Sequence, residues 1–86
     1  NMNKEIELSD LTTQINWIKQ KFSDEAQKVR SGAKRKISQS YYDRLIENTE
    51  KKYASHPNVK DLQVLKFEFD SCGKNYTFEK GCSDIN

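Results

Sequence analysis

The stretch LQVLKFEFD, residues 62–70, decides what kind of fold this chain is expected to make. Leu65, Phe67 and Phe69 alternate with Lys66, Glu68 and Asp70, so an extended backbone would turn three apolar side chains one way and three charged ones the other. That alternation predicts a half-buried antiparallel strand. NYTFEK, residues 75–80, continues it with Tyr76 and Phe78. Cys72-Gly73-Lys74-Asn75 reads as the turn between the two runs, with Gly73 supplying a positive φ. The expectation is a β-hairpin over about 62–80. Two strands alone are marginal in water, so Phe67, Phe69, Tyr76 and Phe78 need other elements to lie against.

Those elements are expected to be helical. Leu8, Leu11, Ile15, Ile18, Phe22, Ala26 and Val29 recur at steps of three or four and line one side of a helix over about 8–30. Ser9 can cap its start, Asp10 suits the positive end of its dipole, and Lys28 and Arg30 suit the other end. Ser31-Gly32 supplies a left-handed stop. Ser23-Asp24-Glu25 could begin a separate helix, but the apolar phase runs unbroken from Phe22 to Val29 and favours one. A second helix is expected over about 38–54. Ser38 or Ser40 would cap it, with Asp43 as the acidic half of a capping box. Tyr41 or Tyr42 with Leu45, Ile46, Thr49 and Tyr53 would form its buried side, and Ser55-His56-Pro57-Asn58 would stop it. The short connection predicts an antiparallel helical hairpin. The expected class is therefore α+β, in the order α-α-β-β, in one domain spanning 1–86.

Composition fits one small core. The 86 residues are 34% hydrophobic and 33% charged, so burial has to come from well-phased stripes. A 10% aromatic content argues against disorder. No apolar run approaches a membrane span and no basic-then-apolar leader precedes Met2, which makes a soluble, cytoplasmic protein without membrane contact the expectation. Asn1 looks like the remnant of a cleaved tag.

Little in the sequence carries chemistry. In an extended hairpin, residue 82 lies opposite residue 65, far beyond bridging distance of Cys72, so free thiols in a reducing compartment are expected. Two cysteines and one distant histidine lack zinc spacing, and His56 reads as an exposed turn residue. There is no nucleophile signature and no glycine-rich phosphate loop. No catalytic, cofactor-binding or metal-ligating residue is assigned, and no enzymatic activity is expected. Asn75-Tyr76-Thr77 fits a glycosylation triplet but reads as a hairpin-turn asparagine.

Charge is more informative in its placement than in its sum. The net charge is +2, yet residues 28–36 hold Lys28, Arg30, Lys34, Arg35 and Lys36 with no acid among them. These five, with Arg44, are candidates for contact with nucleic acid or with an acidic partner. Trp17 sits just off the main stripe, where it either widens the core or anchors a partner. Of Tyr41 and Tyr42, the 100° step between neighbours turns one inward and the other out. Trp17, Tyr41 and Tyr42 are thus the candidate protein-partner contacts.

GAKRKISQSYYDRLIENTEKKY, residues 32–53, carries two resemblances. In its turn, in Arg44-Leu45-Ile46-Glu47 and in the length of the preceding helix, the chain over about 11–53 resembles small phage and prophage proteins. These are built as a long helix, a Gly-Lys-(Ile/Met)-Ser turn and a second helix, and the resemblance implies a mobile-element context. Ile37-Ser38-Gln39-Ser40, followed by Tyr41 and Leu45, also resembles the start of a winged helix-turn-helix recognition helix. That likeness implies Ser38, Gln39, Tyr42 and Arg44 in the major groove and residues 62–80 as the wing. The expected function is a small non-catalytic protein-interaction module, one that a phage or mobile element uses against or alongside a host protein that it modulates. DNA or RNA binding is the alternative, and the heptad-like spacing of the first helix also permits a homodimer.

Overall fold

The computed structural model describes residues 3–82, with side chains from residue 10 onward. Three helices make up its regular structure: α1 (Asn3–Arg30), α2 (Gln39–Lys52) and α3 (Asp61–Cys72), followed by a single 3-10 turn over Gly73–Asn75. Among the described residues there is no strand. An isolated antiparallel bridge joins Thr77 to Gly81.

The expected hairpin over 62–80 is therefore overturned, and with it the α+β class. The same residues hold a second, helical pattern. Leu62, Leu65, Phe69 and Cys72 stand three or four apart, and all four are buried on one face of α3. Lys66 and Asp70, which alternation set together on a charged strand face, are instead an i,i+4 ion pair at 3.0 Å along the helix. Phe67 completes the apparent alternation from the outer side of α3, where it is 71% exposed. Gly73 does take a positive φ, of 52°, but as the residue that ends α3.

α1 runs through Ser23 without a break and buries Leu11, Ile15, Ile18, Phe22 and Ala26. α1 starts at Asn3, earlier than the expected start near residue 8, so Ser9 lies inside the helix and does not cap its beginning; the Leu8 assignment lies outside the described side chains. Gly32, at φ 86°, makes the left-handed stop after α1. α2 buries Tyr42, Ile46 and Thr49, with Tyr53 just beyond its end. The serine cap and its capping box are not formed: no side chain of Ser38 caps α2, and Asp43 turns to Lys66 of α3. α1 and α2 run antiparallel, since Glu25 meets Ser38 and Lys21, one turn earlier, meets Tyr41.

The core is an aromatic knot drawn from all parts of the chain. Phe22 and Phe69 stack with centroids 3.8 Å apart, and Tyr42 and Tyr76 each meet Phe22 edge-on, at 5.0 and 5.4 Å. Such pairs each add about 0.5–1.5 kcal/mol beyond simple burial. Burial pushes the Tyr42 and Tyr76 hydroxyls up to about 12.

The cysteines are joined. Helix rises by only about 1.5 Å per residue, less than half the advance of a strand, so α3 does not carry Cys72 away from the segment that returns. The chain turns back after Asn75, and Cys72 and Cys82 form a disulfide with their Cα atoms 5.5 Å apart. The free thiols expected from an extended hairpin are replaced by this bond. The returning segment is held at three further points. Arg30 Nη1 donates to the carbonyls of Lys74 and Tyr76, and Ser23 Oγ accepts the Phe78 N–H at 3.1 Å.

Candidate interaction surface on α1 and α2

The five cations of residues 28–36 divide into two groups. Arg30 is engaged on the two carbonyls just described. Lys34 pairs with Glu25 at 2.9 Å. Glu25 is the clasp of the whole connection, since its other oxygen accepts the Ser38 N–H at the start of α2, the kind of bond expected of the acidic half of a capping box. Partial burial pushes the Glu25 carboxyl up, but the Ser38 N–H and the Lys34 ammonium outweigh it and hold the group below its ordinary value. Lys28, Arg35 and Lys36 are exposed, and no carboxylate among the described residues pairs with them. Arg44 is exposed on α2, one turn on from Tyr41.

Beside this turn the two helices bring together what is far apart in sequence. Trp17 is 45% exposed and Tyr41 is 46% exposed, while Tyr42 is buried at 2%. Trp17 therefore does not widen the core, and Tyr42 reaches neither a groove nor a partner. Between Trp17 and Tyr41 stands Lys21, whose ammonium lies 5.1 Å from the Trp17 ring centroid and 5.8 Å from that of Tyr41. Trp17, Lys21, Glu25 and Lys28 follow at steps of four, four and three, so they form one ridge on the flank of α1 that α2 approaches. The ridge leads from the aromatic pair to the unpaired cations. The sequence reading missed Lys21 because its role depends on how α2 sits beside α1.

Other candidates are less well formed. Of the winged-helix groove residues, Gln39 is bonded to Asp70 and Tyr42 is internal, and the stretch assigned to the wing is most of α3, the 3-10 turn and the segment that follows. His56 is half-buried in the turn after α2, not exposed as expected. Its Nδ1 accepts the Asn58 N–H, and its buried Nε2 has no partner among the described residues. Asn75 ends the 3-10 turn and is not in a hairpin. A shallow cleft of about 390 Å³ lies between α2 and α3, lined by Glu50, Ala54, Val59, Lys60 and Gln63, and it gathers no nucleophile beside a base. No group of metal-ligating side chains is found among the described residues, and no helix there is long and apolar enough to cross a membrane. Compared with protein families, with curated proteins and with solved structures, the chain matches none.

Proposed function

We propose that the protein is a small non-catalytic binding module that engages a protein partner through the surface carrying Trp17, Lys21 and Tyr41. The observation that carries this reading is the pairing of two large, half-exposed aromatic side chains on adjacent helices of a domain whose other tyrosines are buried. Tryptophan and tyrosine are the residues that most often dominate binding energy at interfaces, because they offer large contact area at small cost in side-chain entropy. In this reading, which rests on the phage-like resemblance of residues 11–53, the partner is a protein of a host that carries a mobile element. The Cys72–Cys82 bond favours a meeting place outside the reducing cytoplasm that the sequence suggested, because such bonds persist in oxidising compartments.

The test is affinity capture with the wild-type chain and with the double variant Trp17→Ala, Tyr41→Ala as parallel baits. The expected result is a protein held by the first and lost by the second. If every captured protein stayed on the double variant, the reading would be wrong.

A further inference from the structure

Resting on that reading, we infer that the partner presents an acidic segment carrying apolar side chains, docked along the ridge from Trp17 to Lys28. The charge of the ridge is one-sided. Lys21, Lys28, Arg35 and Lys36 have no carboxylate partner among the described residues, while Glu25 is already taken by Lys34 and Ser38. Asp24, the residue before Glu25, is exposed and accepts a hydrogen bond from Gln20. A carboxylate-bearing segment therefore meets an excess of positive charge along its whole length, and charge complementarity of this kind fixes register and speeds encounter.

The aromatic end of the ridge separates an acidic protein from a nucleic acid. Stacking a base requires an open ring face. Here Lys21 sits over one face of each ring, and a base stacking on that face would have to displace the ammonium. A carboxylate needs no such displacement. It can pair with Lys21 where it stands, while a neighbouring apolar side chain covers the exposed parts of Trp17 and Tyr41. The rest of the basic stretch points the same way, because Arg30 and Lys34 are spent inside the molecule and only three of its five cations remain for phosphates.

Trp17 is the single tryptophan of the chain, so its emission reports on this site directly. The experiment titrates the oxidised protein with a fluorescein-labelled peptide of mixed glutamate and leucine, with polyglutamate, and with single-stranded oligothymidine, from about 50 to 200 mM salt. The glutamate–leucine peptide is expected to bind most tightly and to shift Trp17 emission to the blue. The double variant Lys21→Gln, Lys28→Gln should weaken it about tenfold or more with unchanged helical circular dichroism. Tighter binding of oligothymidine, equal binding of polyglutamate, an unaffected double variant, or no binding of the peptide at the lowest salt would each overturn the inference. Should the peptide fail while capture still depends on Trp17 and Tyr41, only the acidic assignment falls. Should capture be indifferent to those two residues, the interaction reading falls with it.

Discussion

Tyr41 and Tyr42 are neighbours in the chain and belong to two different aromatic clusters. Tyr42 joins Phe22, Phe69 and Tyr76 in the interior, and Tyr41 joins Trp17 and Lys21 at the surface. Both clusters use α1 and α2. They differ in what completes them: the inner one is closed by α3 and the segment that follows it, whereas in the outer one Tyr41 meets the Tyr42 ring edge-on at 5.0 Å and Lys21 lies over both Tyr41 and Trp17, which stay half-exposed. An aromatic group whose faces and edges are all met by other rings is spent on stability. One that is covered by a flexible cation remains available to something outside.

The widest separation between the two clusters should come from truncating the inner one. Phe69→Ala removes the ring stacked on Phe22 and is expected to cost about 3–5 kcal/mol, measured by urea denaturation. Truncating the outer cluster provides the control. Trp17→Ala with Tyr41→Ala should change stability by no more than about 0.5 kcal/mol per site. A large loss there would show that the outer cluster is structural and break the comparison.

The disulfide tests how much of the inner cluster depends on a covalent tie. It links residues 10 apart in sequence, and opening a loop of that size should cost about 2–3 kcal/mol, read as a drop in midpoint on adding reductant. Because Tyr76 is also held by Arg30 and by two ring contacts, to Phe22 and Phe69, the reduced chain should keep its helical content at low urea.

A smaller effect than that of the disulfide is expected at the clasp between the clusters. Glu25→Gln should cost about 1 kcal/mol at neutral pH, since the amide can still accept from Ser38 but loses the charge that serves Lys34. The sign of the pH dependence follows from the lowered carboxyl. Glu25 contributes fully above its unfolded value near 4.5 and loses that contribution as pH falls through the lower folded value. The gap between wild type and variant should therefore close in acid, as measured by denaturation midpoints at neutral pH and well below 4.5.

The helices α1 and α2 were legible because each carries a single periodicity. Residues 62–70 carry two. The short period over Leu65, Phe67 and Phe69 is the easier to see, yet it exists only because Phe67 is an apolar residue at a solvent position of α3. The longer period from Leu62 through Leu65 and Phe69 to Cys72, with Lys66 and Asp70 one turn apart, was present in the same letters, and tertiary burial selects it. The disulfide was lost with the strand, since its exclusion assumed extended geometry. At the surface, the exposure of one of the two tyrosines followed from the helix angle alone. Neither the Lys21 bridge nor the Glu25 clasp could be seen before α2 was placed on α1.

Arg30 ties the end of α1 to the carbonyl of Tyr76, across 46 residues of chain. Phe22, about two turns before the end of α1, likewise finds its partners on α2, on α3 and after α3. The molecule thus has no half that is finished by itself: a hairpin ending at Tyr53 would leave Phe22 facing water, and α3 with its appended loop would have nothing to cover. Cleavage in the exposed turn near Pro57 should release two pieces that lose their structure together.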